Sequence, residues 1–182
     1  MNNQLIKNLI TLNEWLVSHE KKITLHLIGG YALYLRGIEN RYTEDIDNIN
    51  EIVDDEIINK IQEIGTETDS PNWFDFAATS IILPENYQLR LSREKGFSHI
   101  AIYTLSKEDL IALKIGAYYT RKEITIRDFA DIIAILPTES ELDYGIDFVL
   151  KNYGKNLPRK FLSTLSAELK AIRQEITDAL RR

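Results

Sequence analysis

Two short stretches hold the residues able to do chemistry. Leu27-Ile28-Gly29-Gly30-Tyr31-Ala32 leads from an apolar run into two glycines, and Arg41-Tyr42-Thr43-Glu44-Asp45-Ile46-Asp47 carries two carboxylates spaced i, i+2. In an extended chain that spacing puts Asp45 and Asp47 on one face, where their hard oxygens suit a divalent cation such as Mg2+. Glycines lack a Cβ, so a phosphate can approach the backbone at the start of the next helix. A phosphate cradle next to a metal-binding pair points to nucleotide chemistry, with metal ions neutralising charge on the attacking and leaving oxygens. Thr43 shares the face of the two aspartates and is placed to hydrogen-bond a phosphate or a carboxylate. Arg36 and Arg41 lie close enough in sequence to add positive charge.

Positioning these groups requires a sheet, and the chain supplies its strands between helices. Leu5, Leu9, Leu12 and Leu16 form a stripe that predicts an amphipathic helix from Gln4 to about Ser18. A strand over Ile23–Ile28, a two-turn helix over Tyr31–Arg36 closed by Gly37, and a strand over Thr43–Ile49 follow. Asp54–Ile64 reads as a helix with an acidic first turn. The spacing of Phe74, Ala77, Ala78 and Ile81 predicts another helix within Trp73–Leu83. Gln88–Ser92 and Ser98–Leu105 read as a β-hairpin. Ser106, with Asp109, caps a helix reaching Tyr119, and Thr125, with Asp128, caps one ending before Pro137. Helices over Glu139–Lys151 and Leu157–Leu180 complete the chain. The expected fold is α/β (α+β): a small mixed sheet flanked by helices, forming a domain over residues 1–136, with a helical extension over 137–182 packed on it.

Composition narrows the function. The chain has 182 residues, 44% of them hydrophobic, enough for a real core. A net charge of −6 argues against a broad grip on nucleic-acid phosphates. Lys151, Lys155, Arg159 and Lys160 cluster near the C-terminus and read as solvated helix ends. With no cysteine, disulfides, thiolate catalysis and cysteine zinc sites are excluded. His26 reads as a core or sheet-face histidine, and the three histidines show no metal-binding spacing. No apolar run suits a membrane span and no signal-peptide layout is present, so a cytoplasmic protein with no membrane partner is expected.

Gly29-Gly30, a short helix and Asp45-Ile46-Asp47 together resemble the nucleotidyltransferase superfamily related to DNA polymerase beta. With Ala32, Leu35, Arg36, Arg41 and Thr43, the motif is similar to nucleotidyltransferase-like proteins of bacterial toxin–antitoxin and abortive-infection systems. A second block strengthens the resemblance: Asp109-Leu110-Ile111-Ala112-Leu113-Lys114-Ile115-Gly116-Ala117, then Arg121, then Arg127-Asp128-Phe129-Ala130-Asp131-Ile132. The resemblance implies that Asp45 and Asp47 bind Mg2+ and that Gly29 and Gly30 sit by the triphosphate. Lys114 shares a helical stripe with Ala117, Tyr118 and Arg121. It reads as a catalytic-cleft lysine neutralising the triphosphate, or alternatively as a snorkelling surface lysine. Arg41, Thr43 and Arg121 join the expected nucleotide contacts, while Arg127, Asp128 and Asp131 read as structural.

Two departures stand out. Asn48 follows Asp47, and no third strand-borne acid is obvious, with Asp75 and Glu85 as positional candidates. The resemblance implies Mg2+-dependent transfer of a nucleoside monophosphate from a nucleoside triphosphate to a protein Tyr or Ser hydroxyl, or to the 3′ end of a tRNA. The setting would be a toxin–antitoxin or phage-defence system with a cognate toxin or antitoxin as partner. The departures favour an alternative, a catalytically degenerate nucleotide-binding or partner-binding module of antitoxin type.

Overall fold

A computed structural model of the protein describes residues 3–38, 43–76, 81–121 and 126–182. Its contacts divide the chain into two compact units, 1–81 with 88–105 and 82–87 with 106–182.

The first unit contains α1 (Asn3–Ser18), β1 (Ile23–Ile28), α2 (Gly29–Leu35), β2 (Ile46–Asn48), α3 (Asp55–Glu67), β3 (Phe74–Asp75), β4 (Ser92–Arg93) and β5 (Ile100–Thr104). The strands form one mixed sheet in the order β3-β2-β1-β5-β4. β1 runs antiparallel to β2 and parallel to β5, β2 runs parallel to β3, and β4 is antiparallel to β5. Alternation splits the sheet into two faces. Ile23, Leu25 and Leu27 of β1 share one face with Ile46, Phe74, Ile100 and Ile102, all buried. The leucine stripe of α1 and Ile57, Ile61 and Ile64 of α3 are buried too, and with the strand residues they make the core of this unit. Asp75, Asp47, Thr24, His26, Tyr103 and Arg93 lie on the opposite face and are exposed or half-exposed.

Local signals explain several boundaries. Asp54 caps α3, accepting from the Glu56 and Ile57 backbone N–H groups. Lys21 sits 2.6 Å from the same carboxylate; that ammonium first, and the two amides, hold Asp54 below the usual carboxylate range. Gly37 follows α2 at φ 79°, and its N–H bonds the Tyr34 carbonyl.

Other expectations fail for identifiable reasons. Residues 74–75 form a strand, not a helix: Trp73 is 1% exposed, its indole N–H donates to the Ile61 carbonyl at 2.9 Å, and its own carbonyl accepts from Ile46 N. That anchor lays Phe74 and Asp75 beside β2, so tertiary packing overrides an apolar spacing that suits either element. Ala77 and Ala78 lie outside the described residues, and Ile81–Leu83 belong to no regular element. The hairpin exists, but only Ser92 and Arg93 pair with β5, while Tyr87–Arg90 forms a 3₁₀ turn. The strand expected over Thr43–Ile49 shrinks to Ile46–Asn48, so Asp45 precedes it rather than sharing its pleat.

The second unit is helical: α4 (Lys107–Arg121), α5 (Arg127–Ile135), α6 (Glu139–Gly154) and α7 (Arg159–Leu180). α4 packs on α5 and α6, and α7 packs on α5 and α6. The Ser106 hydroxyl accepts from Asp109 N at 3.2 Å and donates to the Asp109 carboxylate at 2.8 Å, which is the expected cap. Thr138 and Glu141 close a capping box on α6. The junction at 136/137 lies between α5 and α6, inside this unit. Among the described residues, no helix is long and apolar enough to cross a membrane.

Candidate functional site

β1 delivers the chain to Gly29, whose φ of 68° lies in the left-handed region. Across the sheet Ile28 pairs with Asp47, so the acidic segment runs directly past the glycines. A Cβ built on Gly29 would overlap the Asp47 carboxylate, and one built on Gly30 would come 2.7 Å from Thr43 Oγ1. The space left by the two missing side chains is thus filled by Asp47 and Thr43 of this chain. Thr43, 8% exposed, donates from its hydroxyl to Asp45 Oδ1 at 3.0 Å. The hydroxyl ties the half-exposed Asp45 to the same corner even though no strand holds it. The structure therefore brings Gly29, Gly30, Thr43, Asp45 and Asp47 together, while Arg41 lies outside the described residues.

Asn48 has a structural task that its position in the sequence does not reveal. Paired with Leu27, it points to the core face, away from Asp47, and is fully buried. Its Oδ1 accepts from His26 N at 3.0 Å, together with Asn50 Oδ1 at 2.6 Å. Asn48 Nδ2 donates to the Asn50 carbonyl, and Asn50 Nδ2 to the Thr24 carbonyl. Two amide side chains thus complete the hydrogen bonding of β1 where β2 stops, which satisfies backbone groups that burial would otherwise orphan.

Asp75 stands in register with Asp47 on the neighbouring parallel strand, which places it on the same sheet face. Among the described residues, no three His, Asp or Glu side chains gather closely enough to enclose a metal ion. Glu85 belongs to the second unit, where the Lys151 ammonium at 2.7 Å holds its carboxyl below the usual range. Arg36 donates to Thr104 Oγ1 at 3.1 Å and to the Leu105 carbonyl at 2.6 Å, so its guanidinium fastens the end of β5.

Lys114 and Arg121 have their partners within the second unit. Lys114 Nζ lies 3.0 Å from Asp128 Oδ1 and 2.7 Å from Asp131 Oδ2, and Arg121 reaches Asp128 Oδ2 at 3.0 Å. Lys114, Asp128 and Asp131 are all buried. Asp128 therefore serves this cluster instead of capping its own helix, whose N-cap, Ile126, makes no side-chain cap bond; Thr125 lies outside the described residues. Tyr118, on the same stripe of α4, packs on Phe129 and donates to Glu175; burial first, then that carboxylate, pushes its hydroxyl up to about 12. A signal for the cluster exists in the sequence. Lys114 and Arg121 are seven apart on α4, and Asp128 and Asp131 three apart on α5, so each pair shares a helix face.

A mixed sheet with a diglycine turn folded against an acidic segment, joined to a helical C-terminal region, defines a nucleotidyltransferase-like α/β protein. The profile of a family described as nucleotidyltransferases of unknown function (DUF6036) matches residues 4–148, and the chain belongs to that family. No curated protein and no solved structure matches it.

Proposed function

We propose that the protein is a Mg2+-dependent nucleotidyltransferase that moves a nucleoside monophosphate from a nucleoside triphosphate to a macromolecular hydroxyl. The observation that carries this reading is the occupation of the Gly29 and Gly30 Cβ positions by Asp47 and Thr43. Glycine at both positions lets a carboxylate rest on the backbone where α2 begins, so cation and polyphosphate would meet at one corner. Asp45 and Asp47 would hold Mg2+, whose preference for a few carboxylate oxygens completed by substrate phosphates and water suits a two-acid set. Bound there, the ion supplies charge neutralisation on the phosphate oxygens.

The chain's own residues do the remaining work. The Thr43 hydroxyl orients Asp45, and Gly29 lets the Asp47 carboxylate stand against the backbone where α2 begins, so that phosphates would meet the cation on the far side of that carboxylate. Asp75, next to Asp47 on the sheet, takes the proton of the acceptor hydroxyl. That oxygen bonds to the α-phosphorus, the bond to the bridging oxygen breaks, and pyrophosphate leaves with its electron pair. Lys114 is left out of the nucleotide contacts, because two buried carboxylates already engage its ammonium. The resemblance to toxin–antitoxin and phage-defence proteins supports a cognate protein or a tRNA as acceptor.

Incubation with α-labelled nucleoside triphosphates, Mg2+ and cell extract tests the reading. Asp45→Asn should abolish label transfer and leave the thermal midpoint nearly unchanged; unaltered turnover in that variant removes the metal site. The lack of a third enclosing ligand among the described residues favours one rival, a nucleotide-binding module without catalysis. Calorimetric binding of MgATP with no label transfer would establish it.

A further inference from the structure

Asp47 belongs to a strand of only three residues, and Ile46 alone of these is an apolar core residue. Because side chains alternate between the faces of a strand, a slip of one residue against β1 would carry Asp47 to the core face, away from Gly29. The hydrogen bonds that follow Asp47 in the chain oppose such a slip. Ile49 N–H donates to the His26 carbonyl at 2.9 Å. The His26 N–H in turn meets two side-chain oxygens, Asn48 Oδ1 at 3.0 Å and Asn50 Oδ1 at 2.6 Å. Asn48 Nδ2 donates to the Asn50 carbonyl at 2.6 Å, and Asn50 Nδ2 to the Thr24 carbonyl at 2.8 Å.

Both asparagines use the amide in two directions, the oxygen accepting and the nitrogen donating. A carboxylate of the same shape has no proton to give the Asn50 or Thr24 carbonyl at neutral pH. An aliphatic side chain would remove an acceptor from the His26 N–H as well. Asn48 is fully buried on the core face, so it is not an acid missing from the metal set; it serves the strand that carries the acid. We propose that Asn48 and Asn50 are positioning residues, which hold β2 in the register that lays the Asp47 carboxylate on the Gly29 backbone. The proposal rests on the reading of Asp45 and Asp47 as Mg2+ ligands given above.

The placement of the two amides agrees with this role. His26 precedes Ile28, the partner of Asp47, by two residues, so the amide clamp closes about 7 Å along the strand from that pair. On the other side Ile46 N–H donates to the Trp73 carbonyl at 2.9 Å. Asp47 is thus held between an anchor to the Trp73–Asp75 segment and an anchor to β1. Mg2+ demands near-ideal octahedral geometry with oxygens at about 2.1 Å. A small displacement of Asp47 would therefore weaken the cation site while the rest of the sheet stayed folded.

Truncating the fully buried Asn48 endangers folding, so the test uses the half-buried Asn50 in the whole chain. Two quantities are read. One is the Mg2+ concentration for half-maximal label transfer from an α-labelled nucleoside triphosphate in cell extract. The other is the 13C signal of the Asp47 side-chain carboxyl in the metal-free protein, assigned by its loss in Asp47→Asn. Asn50→Ala should raise the half-maximal Mg2+ concentration roughly fivefold, the worth of one hydrogen bond, while transfer at saturating Mg2+ stays near wild type. It should also move the Asp47 signal. Asn50→Asp keeps an oxygen for the His26 N–H and should return both readouts toward wild type. Thr138→Ala, which breaks the capping box of α6, should lower the thermal midpoint and move neither. An unmoved Asp47 signal in Asn50→Ala, an unchanged Mg2+ requirement in a chain that transfers label, or equal changes in Thr138→Ala would each overturn the proposal. A wild-type chain that transfers no label removes the transferase reading alone, and the carboxyl signal then decides the positioning role by itself.

Discussion

Each compact unit of this protein has a pair of aspartates close in sequence, and the two pairs are used in opposite ways. Asp128 and Asp131 are buried and engaged by Lys114 and Arg121. Asp45 and Asp47 are half-exposed; one rests against a glycine backbone, and the other accepts a hydroxyl. Burying a carboxylate costs several kcal/mol unless a cation and further hydrogen bonds offset it, so a buried pair must bring its counter-ions with it. A half-exposed pair keeps part of its hydration and carries less of that cost. The comparison separates buried acids paired within a helical unit from half-exposed acids set against a glycine turn, although a bare Asp-x-Asp or Asp-x-x-Asp pattern does not distinguish them.

The sharpest way to break this comparison is Lys114→Ala. Removing the ammonium takes from two buried carboxylates a cation that both contact and should destabilise the protein by about 3–5 kcal/mol, measured by urea denaturation. Stability equal to wild type would return Lys114 to the list of nucleotide contacts. A smaller effect is expected from Gly29→Ala. Left-handed backbone costs a non-glycine residue about 1–2 kcal/mol, and the new methyl must also displace the Asp47 carboxylate. Gly37→Ala is the control, because its φ is 79° but nothing lies within 4 Å of its Cβ position. The excess loss at Gly29 over Gly37, accompanied by weaker MgATP binding only at Gly29, measures how much the close approach matters.

The smallest effect concerns pH. Burial lowers the His26 pKa below its ordinary value, which is about 6.5 in an unfolded chain. As pH falls through that value the unfolded chain takes up a proton before the folded one does. Stability is therefore full above about pH 6.5 and declines on acidification until the folded imidazole also protonates. Thermal midpoints between neutral and mildly acidic pH should show this slope, and His26→Gln should flatten it.

Much of the fold is legible without coordinates. The leucine stripe of α1, the cap at Ser106 and the helical second half all depend on residues within a few positions of one another. Misreadings arise where a distant partner decides. Trp73 belongs to a strand entry because its indole finds the Ile61 carbonyl and its own carbonyl finds Ile46; nothing in Phe74-Asp75-Phe76 announces that. Asn48 reads as a departure from an acidic motif until the His26 N–H that it satisfies is located across the sheet.

The sequence by itself determined that a diglycine turn and an acidic segment occur in this order between strand-forming runs, because motif order and local propensity are written in neighbouring residues. Only the tertiary structure decided that Asp47 and Thr43 fill the space above the glycines, that Asp45 is held by a hydroxyl instead of a pleat, and that Lys114 is engaged by Asp128 and Asp131. Those outcomes depend on strand register and on helix packing. Both join residues far apart in the chain, and in both the placement of charge is set by burial.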